Sequence, residues 1–396
     1  MKEFNMPKYV TFLFPYPIRN REAPYLWMMY KQLEQNSAKN FCFIGSKDYF
    51  LGPQHFATRS ERNFSPKGWE KSTEIPYKYI IEKEIFNSLE ERKITSNMTW
   101  KSLIEDVYAP LEEKLNNIFT EISGKQKINA IFTLCNCATL EKVAAQYKIP
   151  VIHVELGALR KPAYINTAYF DFSGCNGHTE CETRYNRFIQ EKNIENLIMK
   201  REDLLEFIIR NPKTKLLDSM KKYFRRKNFA IGIPQQIEDD SNILAYSNNF
   251  TNFELLAHCS KYFNDNDILV RKHPHGKADY KVKNIDKSIS SKDFIHRCQK
   301  IATINSSVGL EALLYGKETW IYGDNPFSFI ANHSYNFTMS NETNDIDYKL
   351  NFAVLGYLVP FDLLFNTEYI DFRLSLPSES EIMKYHYNFY TKDKNV

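Results

Sequence analysis

The sequence predicts an α/β protein built from two Rossmann-like domains facing across a cleft. Short apolar segments alternate with stretches of helical period, the pattern of a parallel sheet with crossover helices. The alternation occurs twice, over residues 9–154 and again over 229–322, with a break near 210–228. The 396 residues suit two domains or one large one, and 43% hydrophobic residues can fill a sizeable core.

In the first half, Tyr9–Pro15 reads as a buried strand and Phe41–Ile44 as a second. Residues 50–95 are mixed, with weak periodicity. From Trp100 to Ile122 apolar residues recur at helical spacing (Leu103, Val107, Leu111, Leu115, Ile118, Ile122), predicting one long amphipathic helix. Strands at Ala130–Leu134 and Pro150–Val154 flank a helix over Thr139–Tyr147. Residues 156–182 carry Gly, Pro, Asn and aromatics without a period and predict a long loop. Residues 184–225 read as helices ending in the basic run Lys221–Lys227, which suits a solvated helix C-terminus.

The second half opens with a strand at Phe229–Ile233 and a helix over Asn252–Phe263. Strands at Ile268–Arg271, Ile301–Ile304 and Thr319–Tyr322 follow, with a helix over Val308–Tyr315. The apolar run Phe352–Phe361 contains Pro360 and is followed by Asp362, which predicts a buried connection. The expected domains are 1–225 and 226–365, each Rossmann-like. A tail over 366–396 is expected to pack back on the first.

Composition narrows the function classes. A net charge of +4 does not argue for nucleic acid. Seven scattered cysteines, an odd number, fit a reducing cytoplasm better than a disulfide framework. The first residues show no signal-peptide core, and no run of about 18 apolar residues predicts a membrane span. Aromatic richness and the weak basic bias permit a peripheral membrane contact. There is no dinucleotide fingerprint, Walker loop or serine-hydrolase elbow. Cys175-x-x-His178-x-x-Cys181 lacks an evident fourth ligand, so no metal site is expected.

Four motifs sit just past predicted strands, where ligands bind in open α/β sheets. Arg271-Lys272-His273-Pro274 concentrates cations able to neutralise a phosphate, with His275 as a neighbour. Asn305-Ser306-Ser307-Val-Gly-Leu-Glu311 opens a helix. Either serine can cap it and leave backbone N–H groups for a phosphate, while Glu311 can accept two hydroxyl bonds. Gln236-Ile-Glu238-Asp239-Asp240 brings three acids together; they must face apart or meet a positive partner such as 271–273. A carboxylate near an anomeric carbon can be a nucleophile or stabilise an oxocarbenium ion. Glu155 ends a first-half strand and can act as general base or acid, with Arg160 and Lys161 available to an anion. Tyr16, Tyr25 and Trp27 can line an acceptor path or belong to the core.

The order Glu155-x-Gly-x-Leu-Arg160, Gln236-x-x-x-Asp240, Lys272-His273-Pro274, Asn305-Ser-Ser-x-Gly-Leu-Glu311 resembles the bacterial retaining β-Kdo glycosyltransferases of surface polysaccharide synthesis, of the KpsC/KpsS and WbbB types. The resemblance spans roughly residues 150–325. It implies a GT-B-like fold, CMP-β-Kdo as donor, and retention through a covalent Kdo–aspartate intermediate. Under it Asp240 is the nucleophile, with Asp239 as the fallback. Gln236 orients the sugar, and Lys272 and His273 hold the CMP phosphate together with Asn305, Ser306 and Ser307. Glu311 holds the ribose, Glu155 serves proton transfer with the acceptor, and Arg160 meets the Kdo carboxylate or an anionic acceptor. CMP is a phosphate leaving group that needs positive charge, not necessarily a metal, so no cofactor is expected. The acceptor is a saccharide or lipid-linked saccharide, and the expected location is the cytoplasm, with peripheral contact at the inner membrane allowed. An inverting CMP-sialic-acid transferase, a CDP-polyol phosphotransferase and a non-catalytic nucleotide-sugar-binding partner remain alternatives.

Overall fold

Strands form where the apolar runs are short and bounded by turn residues. β1 (Tyr9–Phe12), β2 (Phe41–Gly45), β3 (Lys78–Ile80), β4 (Ala130–Thr133) and β5 (Val151–Leu156) lie in the parallel order β3-β2-β1-β4-β5. The computed structural model describes residues 7–18, 23–36, 40–51, 75, 77–91, 95–210, 228–276, 279–338 and 345–392. β1 is central, with Tyr9 opposite both Phe41 and Ala130, and every one of its residues is buried. Such two-sided burial explains why the run does not alternate with polar residues. β3 is the edge, and its Lys78 and Ile80 are exposed.

The chain divides into two compact units. The first comprises residues 1–155, 170–175 and 362–374; the second comprises 156–169, 176–361 and 375–396. Late residues complete the first core. Phe365 packs against Phe132, Phe41 and Trp27 at ring separations of 5.7, 6.4 and 6.5 Å. Tyr9 donates a 2.8 Å hydrogen bond to Asp371. Tyr16 and Trp27 are buried in this unit, with Tyr16 edge-on to Phe86, so both are core residues.

The second unit holds β7 (Phe229–Pro234), β8 (Ile268–Arg271), β9 (Cys298–Thr303) and β10 (Glu318–Ile321), all parallel, in the order β10-β9-β7-β8. Helix Asn252–Cys259 begins with a capping box: Thr251 Oγ1 accepts from Glu254 N–H, and the Glu254 carboxylate accepts from Thr251 N–H. One face of the sheet buries Ile231, Ile233, Val270 and Trp320; the other buries Leu269, Phe294, Cys298 and Ile301. With helices supplying the crossovers, both units are Rossmann-like, the content of a GT-B-like α/β fold.

Two expectations need correction. The helix predicted over 100–122 is two helices, Ser96–Glu105 and Ala109–Ser123. Asp106 leaves the helical conformation, and Pro110 sits in the first turn of the second helix, where its missing N–H costs nothing. The loop predicted over 156–182 contains β6 (Thr167–Asp171), which is buried and whose Ala168 pairs antiparallel with Val359 of β11 (Val359–Pro360). The Phe352–Phe361 connection is buried throughout, as expected, and includes a π-helical turn at Phe352–Tyr357. The basic run 221–227 lies outside the described residues. Among those described, no helix is long and apolar enough to cross a membrane.

Candidate functional site

Parallel strands send their carboxyl ends to one edge of the sheet. The three motifs of the second half therefore share an edge, because each follows β7, β8 or β9. Asn305 fastens the loops there. Its backbone N–H donates to Gln236 Oε1 (3.1 Å), and its Nδ2 donates to the carbonyls of Asn242 (2.8 Å) and Tyr246 (3.0 Å). Its own carbonyl accepts from Asn325 Nδ2 at 2.9 Å. Gln236 is also gripped through its backbone: its N–H donates to Asn252 Oδ1 (3.0 Å), and its carbonyl accepts from Asn252 Nδ2 (2.8 Å). Both Gln236 and Asn305 are buried, so these bonds act where unmade ones would be costly.

The acidic triplet splits by local role. Glu238 accepts from Tyr280 OH (2.6 Å) and Asn252 Nδ2 (3.0 Å), both neutral. Asp240 is the N-cap of helix Ser241–Tyr246, accepting from Asn242 N–H at 3.2 Å, and is partly exposed. The basic cluster finds other partners than the expected ones. Arg271 donates to Asp286 at 2.5 Å, and Arg297 donates to the other oxygen of that buried carboxylate at 2.9 Å. Lys272 pairs with exposed Asp279 at 2.7 Å, and its hydrogen bond, then its charge, hold the Asp279 carboxyl below the usual range. The expected meeting of the triplet with 271–273 is thus not how Glu238, Arg271 and Lys272 are satisfied. Short polar neighbours on the loops after β8 take that role instead.

His273 is held by the turn that Pro274 makes. Its Nδ1 accepts from His275 N–H at 3.1 Å, and its carbonyl accepts from Gly276 N–H at 2.9 Å. In the neutral ring this places the proton on Nε2, which can donate to an anion. In the serine motif, Ser306 Oγ accepts from Val308 N–H at 3.3 Å, whereas Ser307, at the N-cap, makes no side-chain cap bond. Glu311 is buried in the first turn of that helix, Val308–Leu314. Its Oε2 accepts from Ser291 Oγ (2.6 Å) and Tyr164 OH (3.0 Å). Burial raises its pKa, opposed by those two hydrogen bonds and by the charges of Arg271 and Arg160. Arg160 is exposed, and its Nε donates to Gly157 O at 2.9 Å.

Glu155 ends β5 in the first unit and is partly exposed. The Cys175-x-x-His178-x-x-Cys181 spacing puts both thiols in buried positions, with Cys175 in the first unit and Cys181 in the second. Nothing in the sequence points to Asn252, Tyr280, Ser291 and Tyr164, which hold the motif residues. They join the motifs through pairings distant in sequence, for which a single chain carries no signal.

Comparison with known proteins adds family to geometry. Residues 11–180 match the Glycosyltransferase 99 family N-terminal domain, and residues 209–331 match the Capsule polysaccharide biosynthesis protein family. The first half of the chain thus resembles a glycosyltransferase domain, and the second half a capsule polysaccharide biosynthesis protein. The likeness to KpsC-type transferases read from the motifs agrees with both matches, and the second spans the Gln-x-x-x-Asp, His-Pro and Ser-Ser elements. The chain is also similar to solved structures. One is Thermosulfurimonas dismutans KpsC, beta Kdo 2,7 transferase (19% identity, 63% of this chain and 82% of that one, TM-score 0.45). Another is the beta Kdo 2,4 transferase of the same KpsC (16%, 61% and 87%, TM-score 0.36). A third is Methanocaldococcus jannaschii UDP-GlcNAc 2-epimerase (11%, 87% and 98%, TM-score 0.31). All three scores lie below 0.5, so the fold assignment rests on the two parallel sheets themselves. No curated protein matches the chain.

Proposed function

We propose that this protein is a glycosyltransferase that moves Kdo from CMP-β-Kdo to a saccharide or lipid-linked acceptor in bacterial capsule or O-antigen synthesis, with retention. The observation that carries the reading is the Gln236–Asn305 hydrogen bond, which ties the acidic loop after β7 to the serine loop after β9. The carboxylate pair and the hydroxyl pair thereby share one edge with Lys272 and His273.

In the first step an Asp240 carboxylate oxygen attacks the anomeric carbon, and the bond from that carbon to the phosphate oxygen breaks. The bonding pair leaves with CMP. Asp239 is the adjacent alternative nucleophile. Lys272 and the His273 Nε2–H meet the charge that grows on the departing phosphate, and the Ser306 and Ser307 hydroxyls donate to it. Gln236 and Arg160 orient the sugar and its carboxylate, and Glu311 holds the ribose. In the second step an acceptor hydroxyl attacks the same carbon, its proton passes to Glu155, and the aspartate is released. Two inversions give net retention. The side-chain cations supply the positive charge, so the proposal needs no metal or other cofactor. Donor supply in the cytoplasm and a lipid-linked acceptor at the inner membrane complete the reading.

Intact-protein mass spectrometry after incubation with freshly generated CMP-Kdo tests it, with CMP-sialic acid and CDP-glycerol as competing donors. The expected result is CMP release from CMP-Kdo alone and a wild-type mass gain of one Kdo unit that Asp240→Asn lacks. An adduct surviving in that variant moves the nucleophile to Asp239. Turnover of either other donor overturns the donor assignment.

A further inference from the structure

Glu311 is 7% exposed, a costly place for an unassisted carboxylate. Two separate segments of the second unit converge on it. Ser291 opens helix Ser291–His296, whose N-cap Ser290 accepts from Asp293 N–H at 3.1 Å. Tyr164 closes a turn begun at Arg160, through its N–H to the Arg160 carbonyl (3.1 Å), and bridges Ile209. Its ring is buried among the apolar residues of the unit. The Ser291 and Tyr164 hydroxyls both donate to the same oxygen, Oε2, at 2.6 and 3.0 Å. Among the described residues Oε1 accepts no hydrogen bond. Two donors on one oxygen fix the carboxylate's rotation and leave the other oxygen's lone pairs for an incoming hydroxyl. Glu311 lies four residues after Ser307, one helical turn away on the same face. A phosphate at the serines and a ribose at Glu311 would therefore belong to one nucleotide.

We infer that Tyr164 and Ser291 are positioning residues that lock Glu311 as a reader of the ribose hydroxyls, so that the pair sets the preference for ribo- over 2′-deoxyribonucleotide. This rests on the nucleotide reading of the site given above. A locked carboxylate can be offered to two hydroxyls at fixed spacing, whereas a freely rotating one gains less from the second. Both donors favour the ionised form needed to accept from a diol, against the burial that raises the Glu311 pKa.

Calorimetric binding of CMP and 2′-deoxy-CMP to the full chain separates the possibilities. The wild type is expected to prefer CMP on the order of tenfold or more, the scale of one charge-assisted hydrogen bond. Tyr164→Phe and Ser291→Ala, on different segments, are each expected to reduce that preference to about threefold or less. Their affinity for 2′-deoxy-CMP should be unchanged. Glu311→Gln is expected to remove most of the preference. Equal loss of both ligands in Tyr164→Phe and Ser291→Ala would mean a merely structural role and overturn the inference. A wild type that binds both nucleotides equally overturns it too, while leaving the nucleotide site standing. A wild type that binds neither overturns the nucleotide reading, and this inference with it.

Discussion

Removing the Glu379 carboxylate leaves the buried Arg184 guanidinium with the more distant Glu180 carboxylate, at 3.8 Å, and the second unit should lose much of its stability. Arg184 and Glu379 are fully and almost fully buried, with side-chain exposures of 1% and 5%. Arg184 Nε and NH2 both donate to Glu379 Oε2, at 2.9 and 2.8 Å, and Arg187 donates to Oε1 at 2.8 Å. The guanidinium also reaches the Gly356 carbonyl at 3.1 Å and lies over the Tyr357 and Phe352 rings at 5.6 and 5.8 Å. The pair thus joins helices Cys181–Phe188 and Glu379–Lys392 to the π-helical turn. Breaking a buried pair by removing one partner costs about 3–5 kcal/mol, and the surviving carbonyl and ring contacts favour the lower end. Glu379→Ala should therefore lower the unfolding free energy in urea by about 3 kcal/mol at pH 7. Replacing both, Arg184→Met with Glu379→Leu, should recover most of that loss, because the charges that then lose a partner, Arg187 and Glu180, are less buried, at 56% and 15% exposure. Burial pushes the Glu379 pKa up, but the Arg184 and Arg187 attractions and hydrogen bonds outweigh it, so the net shift is downward. Its folded pKa lies below the unfolded one, so the stabilisation is complete above the unfolded value and is lost as pH falls through the folded one. Acid unfolding should thus be less steep in the double variant. A Glu379→Ala cost below about 1 kcal/mol, or a double variant as weak as the sum of the single ones, would refute the reasoning.

Asp240→Ala should lose turnover and about 1 kcal/mol of stability, because the helix cap goes with it, whereas Asp240→Asn keeps a cap acceptor and should lose turnover alone; thermal scans beside activity assays check the split. Lys272→Ala breaks only an exposed pair with Asp279, so its melting temperature should match wild type while CMP affinity falls about tenfold in a titration. Gly157→Ala would set a Cβ 2.1 Å from Thr167 Oγ1 and 2.6 Å from the Thr167 carbonyl carbon, so the backbone must move; denaturation should show a loss of about 2 kcal/mol or more. Gly124→Ala, with its nearest neighbour at 3.3 Å and an ordinary helical φ of −68°, serves as the tolerant control.

Much of the architecture was legible because burial on both sides writes parallel strands as continuous apolar runs. Ile268–Arg271 is observed with the predicted bounds, and β2, β4 and β10 within a residue at either end. The failures have local causes. At 100–122 the hydrophobic period continued through a break that Pro110 should have signalled. At 167–171 a buried strand of five residues lay inside a stretch of turn residues, too short to show a period. The site divides the same way. Strand-end motifs announced themselves by type and position, so the placement of Gln236, His273 and Ser306 just past β7, β8 and β9 was readable. Their partners Asn252, Tyr280, Ser291 and Tyr164 were not, because hydroxyl and amide side chains reach across folded space without leaving a pattern along the chain.

The first unit is assembled from three separate stretches, the last of them Asp362–Leu374. During translation its sheet can begin to form early, yet Phe41 and Phe132 lack their partner Phe365 until nearly the whole chain has left the ribosome. The nascent chain must therefore carry an open aromatic face through the synthesis of roughly half its length, a state that invites chaperone binding. A truncated chain ending before residue 362 would be left in that state permanently. Gene fragments cut at the midpoint should yield insoluble protein, however well the first five strands are chosen.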